Sequence, residues 1–246
     1  MFEIAIGGKQ LKKVMKAINL LVNEARIVVS DKRLGITARD PANIALAVAK
    51  IPKEDCEVYK LDGEKMEIGV DIDRMHDIAK TFREDTVTIK CLDKSLQLVC
   101  GKMKYSIPLI DPSAIQKPPK VPDLKEKLNA KVEISGKKFR QMILLADKIS
   151  EQIVFQSNKD EFMAIAEGDI DELKFTYGKA ELIDFNGEEA RAMYSIEYLK
   201  SFLRVIENKD VVVLKFGTDY PLLLEVKGEF ATTVGFFLAP RISEVE

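Results

Sequence analysis

Gly8-Lys9-Gln10-Leu11-Lys12-Lys13-Val14-Met15 is the stretch that decides the fold, because a second stretch of the chain repeats its pattern. It aligns with Gly136-Lys137-Lys138-Phe139-Arg140-Gln141-Met142-Ile143. Each octet follows a short alternating segment (Phe2–Ile6; Lys131–Ser135) and leads to a strand pair. A second correspondence joins Asp71-Ile72-Asp73-Arg74-Met75 to Ser195-Ile196-Glu197-Tyr198-Leu199. After it, Thr86–Ile89 matches Val211–Leu214, and Ser95–Leu98 matches Pro221–Leu224. Repeats of this length and order mean two tandem copies of one unit, each running strand, helix, strands, helix, strands.

The helices share one apolar spacing. Leu11, Val14, Met15 and Ile18 lie at i, i+3, i+4 and i+7; so do Met75, Ile78, Ala79, Phe82, then Phe139, Met142, Ile143, Ala146, then Leu199, Phe202, Leu203, Ile206. Such a stripe packs on a sheet. Between the helices, Arg26–Ser30, Arg33–Ala38, Ile44–Lys50, Glu57–Leu61 and Lys65–Val70 alternate or are β-branched, as do Ile153–Ser157, Glu161–Ala166, Leu173–Tyr177 and Ala190–Tyr194. Asp31-Lys32, Asp40-Pro41 and Asp62-Gly63 break the first set as turns. The fold class is therefore α+β: two strand-rich copies with two helices each. The copies span residues 1–110 and 131–246. Residues 111–130 join them, with Pro112, Pro118, Pro119 and Pro122 favouring an extended connector.

Composition excludes several classes. Hydrophobic residues are 46% of 246, so the chain buries a core rather than staying disordered. No apolar run approaches the ~18 residues of a membrane span, and the start, MFEIAIGGKQLKK, is not a signal peptide. Cys56, Cys91 and Cys100 are an odd count without a CxxC, which fits reduced thiols in a cytosolic or nuclear setting.

The net charge of −2 conceals a segregation. Segments 8–22, 72–83, 136–149 and 195–208 hold thirteen Lys/Arg and five Asp/Glu, a net of +8, leaving −10 elsewhere. At ~100° per residue, Lys9, Lys12, Lys13 and Lys16 fall opposite the apolar stripe of the first helix. Lys137, Arg140 and Lys148 share a sector of the third; Lys80 and Arg204 share one on the second and fourth. Solvated faces ordinarily mix both signs. A surface lined by these helices would attract phosphates without reading bases. Trp is absent and Phe82, Phe139 and Phe202 lie in core stripes, so base stacking is not expected.

Catalysis has little support: there is no GxxxxGK[ST], GxSxG or HExxH. His76, beside Asp77, reads as a solvated surface histidine. Asp71 and Asp73 admit a metal-dependent nuclease, but acids opening a helix ordinarily serve its cap and dipole.

With duplication, connector and basic helices in view, the sequence resembles the sliding DNA clamps, in the archaeal form of the proliferating cell nuclear antigen family, over essentially its whole length. The resemblance rests on Leu11-Lys12-Lys13-Val14, Asp40-Pro41-Ala42-Asn43-Ile44-Ala45-Leu46, Tyr220-Pro221-Leu222-Leu223-Leu224-Glu225 and Phe237-Leu238-Ala239-Pro240-Arg241-Ile242. It implies a ring of three two-domain subunits around double-stranded DNA, helices inside and sheets outside. The phosphate-facing set would be Lys9, Lys12, Lys13, Lys16, Lys80, Arg140, Lys148 and Arg204. Asp77 and Gln141 stand where some relatives are basic, and Leu144 interrupts the sector on the third helix. Subunits would join through Met103–Leu109, with Tyr105 and Ile107, and Lys174–Leu182, with Phe175 and Tyr177.

The resemblance also implies an apolar patch docking short peptides that bear an aromatic pair and an aliphatic anchor. Its residues would be Ile44, Leu46, Val121, Leu124, Pro221, Phe237, Ala239, Pro240 and Ile242. The implied partners are a second and third copy of the chain, DNA polymerase, flap endonuclease, DNA ligase and the clamp loader. No membrane, cofactor or metal is expected. The setting would be a cytoplasmic, nucleoid-associated one in an archaeal-type cell, or nuclear in a eukaryote. The alternative reading keeps the fold but makes the chain one subunit of a heterotrimeric or damage-response clamp.

Overall fold

The computed structural model describes residues 1–82, 85–117, 120, 121, 123, 124 and 126–242. Contacts divide the chain into two units: Met1–Lys120 with Glu229–Val234, and Val121–Gly228 with the chain from Gly235 on. The division falls inside the proline-rich 111–130 stretch.

The first unit comprises β1 (Phe2–Gly7), α1 (Gly8–Asn19), β2 (Glu24–Ser30), β3 (Arg33–Arg39), β4 (Ala45–Pro52), β5 (Val58–Leu61), β6 (Lys65–Asp71), α2 (Ile72–Ala79), β7 (Thr86–Cys91), β8 (Ser95–Cys100) and β9 (Met103–Pro108). Two strand orders build it, β5-β1-β7-β8-β9 and β4-β3-β2-β6. The second unit comprises β10 (Ala130–Ser135), α3 (Gly136–Ala146), β11 (Gln152–Ser157), β12 (Glu161–Glu167), β13 (Glu172–Gly178), β14 (Asp184–Asn186), β15 (Ala190–Ser195), α4 (Ile196–Phe202), β16 (Val211–Phe216), β17 (Leu222–Lys227) and, from Gly235 on, β18 (Thr233–Leu238). Its orders are β14-β10-β16-β17-β18 and β13-β12-β11-β15. Element for element, the second set repeats the first, so the duplication read from two octets extends to the topology.

The two octets open on the same backbone bond, and at Gly136 the glycine has a packing reason. Gly8 N–H donates to the Asp85 carbonyl (2.8 Å), and Gly136 N–H donates to its counterpart, the Asp210 carbonyl (2.7 Å). A Cβ on Gly136 would lie 2.0 Å from the Glu207 oxygen, a contact no side chain survives. Caps begin three of the helices. Gln10 Oε1 accepts from Gly7 N–H (3.1 Å), Asp71 Oδ1 from Arg74 N–H (2.9 Å), and Ser135 Oγ from Lys138 N–H (3.3 Å). Each satisfies a donor that the first helical turn leaves unpaired.

In the first unit, α1 packs on α2 and on β1 and β4, burying Leu11, Val14, Met15 and Ile18 as the spacing requires. In the second, α3 packs on α4 and β10, burying Phe139, Met142 and Ile143. Phe155 centres an aromatic cluster there, with Phe162 and Tyr194 each 5.6 Å away and Phe216 at 6.2 Å. Phe202 of α4 stacks on Phe236 at 4.1 Å. Full burial of such side chains contributes about 1.5–3 kcal/mol apiece.

Two sequence expectations need correction. The fourth helix does not continue as α through 208: Leu203–Val205 tightens to 3-10, and Arg140 takes its released carbonyls. The strand expected over 174–182 ends at Gly178, where Lys179–Glu181 turns as 3-10 and Glu181 Oε2 accepts from Gly178 N–H (3.1 Å).

Candidate nucleic-acid interface and docking surface

The twelve residues of α1 carry no acidic side chain in their first turn, and Lys9, Lys12, Lys13 and Lys16 occupy the flank away from the buried stripe. Lys9 is exposed, with Glu229 Oε2 3.9 Å from Nζ; the other three are half-buried. Half-burial suits lysine, whose methylenes lie along apolar surface while the ammonium reaches water. Among the described residues, Lys12, Lys148 and Arg204 have no ion pair.

Two of the expected phosphate ligands are committed locally. Lys80, the residue after α2, holds Asp77 Oδ1 at 2.7 Å, and that ammonium keeps the exposed Asp77 carboxyl below its ordinary range. The Arg140 guanidinium donates through Nη1 to the Leu203 (2.5 Å) and Ile206 (3.1 Å) carbonyls. It caps the C-terminal end of α4, where the helix dipole favours a cation. Periodicity placed Arg140 on the helix face away from the buried stripe but could not show that a neighbouring helix uses it. Asp147 likewise engages Lys200 at 2.6 Å.

His76 is not solvated: it is buried, 8% exposed, on the flank of α2. Beside Asp77 it looked like a surface residue, but its own position turns inward. Asp71 is the cap of α2 and Asp73 sits in its first turn, bonded by Asn19 Nδ2. Among the described residues no group of three metal-ligating side chains exists, and no helix is long and apolar enough to cross a membrane.

The docking residues divide by unit. In the first, Asp40 Oδ1 accepts from Ile44 N–H (2.8 Å) and Ala45 N–H (2.7 Å), closing the Asp40-Pro41-Ala42-Asn43 turn with Asn43 at φ 61°. Asparagine tolerates that left-handed conformation better than most residues. The turn leaves Ile44 half-buried, whereas Leu46 is core at 7% exposure. In the second unit Leu124, Pro221, Phe237, Ala239 and Pro240 are half-buried, Val121 is exposed, and Ile242 is 82% exposed. Arg241 N–H donates to the Met193 carbonyl (2.7 Å), pinning the tail to β15. Tyr194 Oη donates to the Tyr220 carbonyl (2.8 Å), fixing the turn before Pro221.

β9 and β13 each end a strand order, as edges. Leu109 N–H bonds the Lys94 carbonyl, so antiparallel alternation turns the backbone groups of Lys104 and Ser106 away from β8. Gly168 N–H bonds the Asp171 carbonyl, which likewise leaves Lys174 and Thr176 facing away from β12. Tyr105, Phe175 and Tyr177 are half-buried. Phe175 stacks on Tyr177 at 6.2 Å, and the Lys138 ammonium lies 5.4 Å from the Tyr177 ring. Ile107 differs: at 1% exposure it belongs to the core of its own unit and offers no side-chain surface.

Sequence reasoning missed three polar side chains that shape these surfaces, because their partners are remote in sequence. Asp55 accepts from Ala231 N–H (3.2 Å), Thr232 N–H (2.5 Å) and Thr232 Oγ1 (2.7 Å), seating 229–232 in the first unit. Gln10, buried, reaches the same Thr232 hydroxyl (3.4 Å). Arg26 contacts Ile115.

The family model for the N-terminal domain of proliferating cell nuclear antigen matches residues 1–105. A DNA polymerase sliding clamp of Archaeoglobus fulgidus is 44% identical over 246 residues, covering 98% of this chain and 99% of that one. One from Methanothrix thermoacetophila is 36% identical, covering 99% and 100%. Among solved structures, the A. fulgidus PCNA chain bound to the C-terminal region of FEN-1 superposes with a TM-score of 0.95 at 42% identity, each chain fully covered. PCNA of Thermococcus kodakaraensis, at 24% identity, shares the fold with a TM-score of 0.89 over 98% of this chain and 100% of that one.

Proposed function

The chain belongs to the proliferating cell nuclear antigen family of DNA polymerase sliding clamps, and from that premise we propose that it is a processivity factor: three copies close a ring on duplex DNA and tether replication and repair enzymes. The observation that carries this reading is the lysine face of α1, set over a fully buried stripe in a chain whose remainder is acidic. A ring needs only weak, base-blind attraction, because topology rather than affinity retains it. Lysines that meet phosphates fit that demand; they position without specifying sequence.

Assembly would use the edges. Backbone groups of Lys104 and Ser106 on β9 meet those of Lys174 and Thr176 on β13 of the next copy. Tyr105 lies on the same side as Phe175 and Tyr177. Such head-to-tail contacts close when the rotation divides the circle, and closure removes edges that would otherwise aggregate. The apolar set around Pro221, Phe237, Pro240 and Ile242 would take client peptides, those of a polymerase, flap endonuclease, ligase and clamp loader. The chain itself performs no chemistry, and it works where the DNA is, in an archaeal-type cytoplasm.

Size-exclusion chromatography with light scattering tests the ring: the expected mass is three times the 27.7 kDa chain. A monomer alone would overturn self-assembly. Stimulation of long-product synthesis by a family polymerase on primed circular template tests the tether, and no stimulation would overturn it.

A further inference from the structure

The strand pairing of the duplicated units allows a comparison within one molecule. Glu24 pairs with Asp71 and Gln152 with Ser195, the two residues preceding α2 and α4, so Arg26 corresponds to Val154 and Gly69 to Met193. Beyond each pair, the chain leaving the last strand returns as a single bridge: Ile110 on Gly69, and Arg241 on Met193. Up to that bridge the units agree.

In the first unit the returning chain is gripped. Arg26 donates to the Ile115 carbonyl through Nε (3.0 Å) and Nη2 (2.5 Å), while its Nη1 holds Glu67 Oε1 at 3.0 Å. The guanidinium side chain is only 15% exposed, and Ile115 is buried. Two donors on one carbonyl and a third on a carboxylate use the planar fork that distinguishes arginine from lysine. Between bridge and grip, Asp111 Oδ1 accepts from Ser113 N–H (2.8 Å), and Ile115 N–H bonds the Pro112 carbonyl (3.2 Å), making one 3-10 turn. Gly69 is required beneath it: a Cβ there would lie 2.5 Å from the Ile110 oxygen and 2.9 Å from Ile115 Cδ1. The second unit has apolar, buried Val154 and a methionine at these places, neither of which can donate as the guanidinium does.

We infer that Arg26 is a positioning residue of the peptide-docking surface: with Gly69 it anchors Asp111–Ile115 on the first unit and fixes the point from which the connector runs to Val121 and Leu124. The inference rests on the docking role proposed above. Val121 lies six residues past the Ile115 anchor but eleven past the Ile110 bridge. Releasing Arg26 therefore moves the anchor named before Val121 from Ile115 back to the Ile110 bridge. Loop-closure scaling with the three-halves power of length then lowers the effective concentration of Val121 at the docking surface about 2.5-fold.

The test compares full-length wild type with Arg26→Ala, Arg26→Lys and Gly69→Ala. The probe is a fluorescent synthetic peptide carrying an aliphatic anchor and an adjacent aromatic pair. Expected are about 2.5-fold weaker peptide binding by Arg26→Ala and Gly69→Ala, an intermediate value for Arg26→Lys, and exchange of the 113–115 amides about tenfold faster. Trimer mass and thermal midpoint report any general loss of fold. If that occurs in Arg26→Ala, the milder Arg26→Lys carries the comparison, and unchanged exchange and binding in it overturn the inference. Wild-type peptide affinity in Arg26→Ala, with accelerated 113–115 exchange, overturns the positioning role and leaves the docking reading standing. Failure of the wild type itself to bind the peptide overturns the docking reading, and this inference with it.

Discussion

Reversing Lys12 and Lys13 together, as Lys12→Glu and Lys13→Glu, isolates the electrostatic role of α1. At ~1.5 Å per residue, Lys9 and Lys16 stand about 10 Å apart along the helix. Duplex DNA presents about one charge per 1.7 Å, so that face spans about six phosphate charges. Each phosphate contact contributes about 0.9 to the exponent with which affinity falls as salt rises. With one subunit of the ring against the backbone, removing its two contacts lowers that exponent by about 1.8. Between about 50 and 200 mM salt, wild-type affinity should then fall about 12-fold more steeply than that of the variant. The buried stripe is untouched. Stability should stay within about 0.5 kcal/mol of wild type. Fluorescence anisotropy on a long duplex across that salt range gives both exponents, and light scattering gives the assembly. An unchanged exponent in a folded, wild-type-sized assembly would refute the placement of these lysines against phosphate.

Further predictions address stability and docking. Tyr194→Phe removes the donor to the Tyr220 carbonyl and should cost about 1–2 kcal/mol, read as a lower denaturation midpoint at unchanged slope. Asp55→Ala strips three donors within 229–232 of their acceptor and should cost about 3 kcal/mol, with faster hydrogen exchange confined first to that segment. Burial raises the Glu133 carboxyl, but hydrogen bonds from Lys131 and Lys227, both at 2.8 Å, outweigh it and hold the group below its ordinary value. A depressed carboxyl stabilises above its unfolded pKa near 4.5 and loses that contribution as pH falls through its folded value. Glu133→Gln should thus be less stable than wild type at neutral pH by about 2 kcal/mol, with the gap closing as pH falls below 4.5 and through the depressed folded value. A gap independent of pH would contradict the pairing. Pro240→Ala with Ile242→Ala should abolish peptide-dependent stimulation of client enzymes while leaving trimer mass unchanged.

What the amino-acid sequence discloses here is local or repeated. The i, i+3, i+4, i+7 spacing of Leu11 to Ile18 and of Phe139 to Ala146 fixes which helix face is buried, since helical geometry alone decides it. Asp71 was readable as a cap for the same reason. The strand alternation of Arg33–Ala38 and Ser95–Leu98 carried through to β3 and β8. The failures have a different physical cause. His76 lies near the boundary between stripe and surface, where one residue's rotation separates burial from solvent. Arg140 was legible as a helix-face cation but not as the cap of α4, 63 residues away. Ile107 was placed at a subunit edge by the resemblance, which names the strand without saying which of its side chains face the core. β14, three residues long, has too little pattern to stand above its turn-rich surroundings. Arg26 and Asp55 act on residues 89 and 177 positions away, contacts that only the duplicated topology brings together.

The central claim is topological, so the most direct test is whether topology alone retains the protein on DNA. The assembly is loaded onto a nicked circular duplex and passed through gel filtration in 1 M salt, where the Debye length is about 3 Å and phosphate contacts are screened. The account predicts that protein stays with the circle and is lost within minutes once a restriction enzyme linearises it. Stripping by salt from the intact circle, or equal retention on the linear form, would contradict it.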